Sequence, residues 1–271
     1  MPAFTRTGSG PRLLLLHGLG GTHDVWAPVI EILAPEREVL AVDMPGFGAS
    51  APLEGEPATA RNLGRAIAGF CEAQGFERPH IAGNSLGAWV ALEMAMAGDA
   101  ASVTAISPAG LWRKPPGPSP PGRRRKAKAL RPLIAAALYT RAGRRAALGR
   151  TVARPDAIPA AAARRSVLGW IDSEGYEAAD REMRSGRFEP AGFPDIPVTI
   201  AWGDRDRMVG PPKPHRMPAG ARFVVLEGLG HTPTWDDPRR VAQLLLEGSS
   251  GEPRSPDEAG NDPAGGRTGP Q

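Results

Sequence analysis

The stretch His80-Ile81-Ala82-Gly83-Asn84-Ser85-Leu86-Gly87-Ala88-Trp89-Val90 decides how this chain is read. It opens as a short buried strand, His80–Gly83, tightens into the pattern G-x-S-x-G, and continues as a helix over Leu86–Ala97. A turn sharp enough to lift the Ser85 hydroxyl over the end of a sheet leaves no room for side chains two residues to either side, and both of those positions are glycine. The helix opening at Leu86 directs unpaired backbone N–H groups and the positive end of its dipole at the same spot. Five residues alone also fit a plain glycine-rich turn. The strand before and the helix after are what a nucleophile needs.

Outward from this turn, short apolar runs alternate with helical patterns. Arg12–Leu16, Glu38–Val42 and Ser102–Ser107 read as strands, while His23–Leu33, with Thr22 as its cap, and Arg61–Ala73 read as helices. Further on, Val198–Trp202 and Arg222–Leu226 read as strands, and Asp237-Pro238 starts a helix that runs to about Glu247. The alternation predicts an α/β fold, a mostly parallel sheet with helices on both faces. At Leu111 the pattern breaks into a proline-rich stretch. Leu130, Leu133, Ile134, Ala137 and Leu138 then recur at helical spacing, flanked by Arg131, Arg141, Arg144 and Arg145, which predicts one basic amphipathic helix. The expected organisation is a core of residues 1–110 and 194–247, a helical cap of 111–193, and a tail of 248–271 too polar to order.

The 271 residues suffice for one sizeable core. The longest apolar run, Leu13 to Leu16, is too short to cross a bilayer, no leader pattern opens the sequence, and Cys71 is the single cysteine. The expected location is cytoplasmic, with Cys71 a small buried residue rather than a nucleophile. The formal net charge is +4. From Leu111 to Arg165, 15 Lys and Arg face one acid, Asp156, a local net of +14, so the remainder carries −10. A solvated basic face accounts for this. So does a field that draws an anionic substrate or an anionic lipid surface toward the cap. Nothing in the sequence calls for a nucleic acid.

A serine hydroxyl attacks well only when a base takes its proton. Among His17, His23, His80, His215 and His231, the last follows the final strand in Gly228-Leu229-Gly230-His231, at the sheet edge where α/β enzymes build their sites. The base in turn needs a carboxylate to fix its tautomer. Asp204 and Asp206 both follow the Val198–Trp202 strand, and spacing alone leaves either open. Two N–H donors for a developing oxyanion are supplied by Leu86, next to the nucleophile, and by Leu19 in the glycine-rich loop His17-Gly18-Leu19-Gly20-Gly21.

The segments His17–Gly21, Asp43–Gly48, Gly83–Gly87, Trp202–Asp206 and Gly230-His231, in this order, resemble the α/β-hydrolase superfamily. The resemblance covers about Arg12–Gly110 and Ile196–Glu247. It implies a catalytic triad of Ser85, Asp206 and His231, with Asp206 chosen over Asp204 because the acid of relatives stands three residues after the glycine of W-G-x-x-D. It also implies an oxyanion hole of the Leu19 and Leu86 amides, a structural turn at Asp43, and a helical cap over the pocket. Relatives usually carry two strands before the His-Gly loop, whereas the residues preceding Arg12 leave room for one. The serine at position 85 argues against haloalkane and epoxide chemistry, which in this family uses a carboxylate nucleophile.

The expected activity is hydrolysis of a small carboxylic ester or thioester through an acyl-enzyme on Ser85, with no cofactor and no metal. Two alternatives stand beside it: carbon–carbon bond hydrolysis of a β-diketone-like acid, and a ligand receptor that keeps the fold without catalysis. Trp112, Leu138, Trp170 and Met208 are the pocket candidates, with Trp26 and Met183 behind them. Attachment of the basic cap to a membrane surface is a fourth alternative, behind the reading of a solvated basic face, and the oligomeric state is left open.

Overall fold

The computed structural model describes residues 2–120 and 122–250. Seven strands form one sheet in the order β1-β3-β2-β4-β5-β6-β7. They are β1 (Phe4–Thr7), β2 (Arg12–Leu16), β3 (Glu38–Val42), β4 (His80–Asn84), β5 (Ser102–Ile106), β6 (Val198–Gly203) and β7 (Arg222–Leu226). Only β1 runs antiparallel, paired with β3; the other neighbours are parallel. One strand therefore precedes β2, as the spacing before Arg12 predicts.

Parallel strands covered on both faces should be apolar throughout, and β2 shows how the two layers divide. Leu14 and Leu16 join Leu63, Ile67 and Val90 on one face, against α2 (Ala60–Ala73) and α3 (Leu86–Met96). Leu13 and Leu15 point the other way, to Leu33, Val241 and Leu245 of α1 (Ala27–Leu33) and α9 (Pro238–Gly248). The strand's period of two does this sorting. Thr59 caps α2 through its side chain, and Asp237 does the same for α9 by accepting the Arg240 N–H, with Pro238 in the first turn.

Between β5 and β6 lie α4 (Arg123–Ala129), α5 (Arg131–Ala137), α6 (Arg141–Leu148), α7 (Ala160–Asp172) and α8 (Tyr176–Ser185). Ala127, Leu138, Leu148, Val167 and Ile171 form an apolar cluster of their own within this insertion.

Three expectations need correction. His23–Leu33 is a 3-10 turn, His23–Trp26, followed by α1, and the Thr22 side chain caps nothing; the Asp43 carboxylate takes the His23 N–H instead. The single basic helix is not continuous: α5 begins after Leu130 with Pro132 in its first turn, and the chain turns again after Leu138 so that Arg141, Arg144 and Arg145 belong to α6, capped by Thr140; Leu130 and Leu133 are exposed. The polar tail does not start at Gly248. That residue ends α9 and offers its carbonyl to the Ser102 hydroxyl, while buried Ser249 bonds Arg37. The rest of the expected tail, 251–271, lies outside the described residues.

Candidate active site

Ser85 leaves β4, a central strand of the sheet, with φ 56° and ψ −113°, a conformation that costs an L-residue about 1–3 kcal/mol and persists only where the surroundings impose it. Its N–H donates to the Ile106 carbonyl at 2.9 Å, and its carbonyl accepts from Ala109 at 3.0 Å. Close packing holds the turn from both sides. A Cβ on Gly83 would stand 2.3 Å from the Gly87 oxygen, and one on Gly87 would stand 2.4 Å from the carbonyl oxygens of Leu16 and His17. Both glycines of the motif are thus required sterically.

His231 lies on the loop between β7 and α9, and its Nδ1 is 2.7 Å from Oδ2 of Asp206. An ionised carboxylate only accepts, so Nδ1 is the protonated nitrogen of this contact and Nε2 is the one that would act as the acceptor in the neutral ring. The other Asp206 oxygen accepts the N–H groups of Met208 at 2.7 Å and Val209 at 3.0 Å. Burial pushes the Asp206 carboxyl up, but the His231 hydrogen bond and charge with these two amides outweigh it, and the group is held below its ordinary value. Asp204 accepts from Gly228 N–H at 2.6 Å, a turn contact between the ends of β6 and β7. The two aspartates left open by spacing are separated in this way.

The loop after β2 is set by His17, which is fully buried. Its Nε2 accepts the Met44 N–H at 2.9 Å, so Nδ1 is the protonated nitrogen and donates to the Gly18 carbonyl at 2.8 Å. That carbonyl also takes the Gly21 N–H. The peptide is planar, so the Leu19 N–H points opposite to these bonds. Gly18 abuts the nucleophile turn: a Cβ there would lie 3.2 Å from the Ser85 Cβ. Leu86, as the first residue of α3, has an N–H without an intrahelical acceptor. Burial lowers the His17 pKa more than the nearby carbonyl and Asp43 raise it.

Three polar residues that spacing did not flag tie the loops together. Asn84, beside Ser85, donates from Nδ2 to the Ile106 carbonyl at 3.2 Å and to the His231 carbonyl at 2.7 Å. Asp236 is buried and accepts from Gly230 N–H at 2.8 Å and from Ala153 and Arg154 N–H at 2.9 Å, joining the His231 loop to the cap. His23 meets Asp43 Oδ1 at 2.7 Å through both its backbone N–H and its ring. Asp43 is therefore occupied as a turn anchor, with Gly48 so close that a Cβ would stand 1.9 Å from its carboxylate.

The pocket candidates divide. Trp170 lies against the His17–Gly21 loop, where a Cβ on Gly20 would be 2.7 Å from its ring, and it packs edge-on to Tyr176. Leu138 belongs to the insertion's own apolar cluster, because α5 turns that side inward. Trp112 is spent on packing, edge-on to Trp89 at 5.9 Å with its N–H on the Gly186 carbonyl. Met208 has its backbone N–H on Asp206 and its side chain half exposed. Trp26 is a core residue beneath β2, and Met183 packs at the margin of the main cluster. Among the described residues, no cluster of three or more His, Cys, Asp or Glu is placed to hold a metal ion.

The sequence profile described as the alpha/beta hydrolase family matches residues 13–244. The chain belongs to that family. This hydrolase is 32% identical over 186 residues to the epoxide hydrolase EphH of Mycobacterium tuberculosis, a match covering 63% of this chain and 86% of the relative. It is 39% identical over 93 residues to a pimeloyl-(acyl-carrier protein) methyl ester esterase of Pseudoalteromonas atlantica, a match covering 34% of each. The fold superposes on the enol-lactonase of Burkholderia xenovorans with a TM-score of 0.74 at 20% identity, covering 92% of this chain and 96% of that one. No described helix of the hydrolase is long and apolar enough to cross a membrane.

Proposed function

We propose that this hydrolase cleaves a carboxylic ester or thioester of a small molecule through a covalent acyl-enzyme on Ser85. The observation that carries the proposal is the buried Asp206–His231 pair at 2.7 Å, tied through Asn84 to a turn that presents a serine rather than an aspartate. His231 Nε2 takes the Ser85 proton as the oxygen attacks the carbonyl carbon. Asp206 stabilises the imidazolium that results without accepting the proton itself. The Leu19 and Leu86 N–H groups hold the oxyanion, and its collapse expels the alcohol or thiol, which receives the proton from His231. Water then repeats the sequence in the second half-reaction and releases the acid. These steps need no metal and no cofactor.

The similarity to EphH supports hydrolysis in general. Its named substrate class is not carried to this chain, because Ser85 stands at the nucleophile position and the ester-type mechanism is the one a serine with a histidine base performs. A panel of p-nitrophenyl esters and acyl thioesters of graded chain length, extended by a β-diketone acid, tests the proposal. The expected result is turnover of the esters or thioesters and a loss on the order of 10⁶ in kcat for Ser85→Ala, by analogy with serine proteases. A loss under tenfold refutes the nucleophile, and turnover of the β-diketone acid alone refutes the ester reading.

A further inference from the structure

The insertion between β5 and β6 carries an exposed apolar row. Helix α5 touches both α4 and α6, and it turns Ala135 and the following Leu138 inward. On its other side, Leu130, Leu133 and Ala137 recur at spacings of three and four and are all exposed. Leu130 is 50% and Leu133 is 68% open to solvent, with Ala129, Pro132 and Ala136 exposed beside them. The break at Leu130 does not interrupt this row. The Leu130 N–H still bonds the Lys126 carbonyl, and the Ile134 N–H bonds the Leu130 carbonyl, so Lys126, Leu130 and Leu133 remain helical neighbours.

In the same segment Arg125, Lys126 and Lys128 of α4 and Arg141 at the start of α6 are exposed, with Lys126 in the row of Leu130. None of the four ion pairs with a described acid, whereas Arg131 is engaged by Asp172 and Arg145 by Asp156. Exposed leucines accompanied by cations that form no close ion pair suit one kind of surface. The cations meet an anionic headgroup layer while the leucines enter the acyl boundary beneath it. A nucleic acid would use the cations alone and leave the leucines in water. We infer that the exposed row of Lys126, Leu130 and Leu133, aided by the exposed cations Arg125, Lys128 and Arg141 of the same segment, docks the insertion on an anionic lipid bilayer. The inference stands apart from the chemistry at Ser85.

The test is co-sedimentation of the full chain with vesicles of phosphatidylcholine and phosphatidylglycerol at three to one, against vesicles of phosphatidylcholine alone, in low salt. Binding to the anionic vesicles and not to the neutral ones is expected. Leu130→Ser/Leu133→Ser should weaken it at least about tenfold, since each leucine gives up part of a burial worth ~1.5–3 kcal/mol. Lys126→Gln/Lys128→Gln should weaken it about fivefold per charge removed. Circular dichroism of both variants should match the parent, as every altered side chain is exposed. Equal binding to both vesicle types overturns the inference. So does undiminished anionic binding by the leucine variant, which marks plain charge attraction. Equally tight retention on a short DNA duplex, insensitive to the leucines, overturns it as well.

Discussion

Asp204 and Asp206 stand two residues apart on one loop and do different work because their oxygens face different donors. Asp206 receives His231 and two backbone amides in a buried setting, while Asp204 receives Gly228 at the surface. Replacing Asp206 by Asn removes the acceptor that selects the productive tautomer and should lower kcat by about 10⁴; Asp204→Asn should stay within about tenfold of the parent. Parallel assays on one ester check this, and the reverse order moves the acid to Asp204. His23 illustrates a titration with a definite sign. Its hydrogen bond to Asp43 raises its pKa against the opposing effect of burial, so its contribution is fully present below the unfolded value of about 6.5 and is lost as pH rises through the folded value. The melting temperature gap between the parent and His23→Gln should therefore be wider at pH 5.5 than at pH 9. A gap that widens with pH contradicts the assignment.

Among the elements, the turn between β4 and α3 was open to reading because its demands are local. Strand, glycines, serine and helix are contiguous, and each glycine meets backbone within two to four residues or from the adjacent loop. The β2 strand was equally plain from four consecutive leucines. What escaped notice depends on contacts between distant segments. Asp236 binds Ala153 and Arg154, more than eighty residues away, and no spacing in the sequence marks such a partner. The basic stripe from Leu130 to Arg145 reads as one helix because its apolar period and its arginines run on, whereas the leucines belong to α5, with Pro132 in its first turn, and α6 starts anew at Arg141 under the Thr140 cap. Asp236→Ala should leave the buried Gly230 N–H without an acceptor, at about 1–3 kcal/mol before relaxation, and free the part-buried N–H groups of Ala153 and Arg154 at a smaller cost. Because Gly230 adjoins His231, we expect both a lower melting temperature and a lower kcat, read by calorimetry and steady-state assay. An unchanged kcat would separate the cap contact from the position of the base.

Across the whole molecule, an apolar sheet carries helices on both faces, and a basic insertion between β5 and β6 contributes Trp170 beside the His17–Gly21 loop. The last described residues help to close this architecture. Arg37 is buried and gives hydrogen bonds to the Ser249 hydroxyl and carbonyl and to the Leu246 carbonyl. A chain ending at Glu247 should thus melt about 3–8 °C below one ending at Ser250, from the loss of charged hydrogen bonds worth ~1.5–3 kcal/mol. Equal melting temperatures would show that Ser249 contributes nothing. Composition marked residues 248–250 as polar and therefore loose; what it does not record is a buried guanidinium in need of acceptors.

The most direct test of the account is rapid acid quench of the hydrolase with p-nitrophenyl acetate, followed by mass spectrometry of the intact chain and its peptides. The account predicts a single acetyl group, located on Ser85 and absent from Ser85→Ala. Turnover that proceeds with no adduct on Ser85, or with the adduct on another residue, contradicts it.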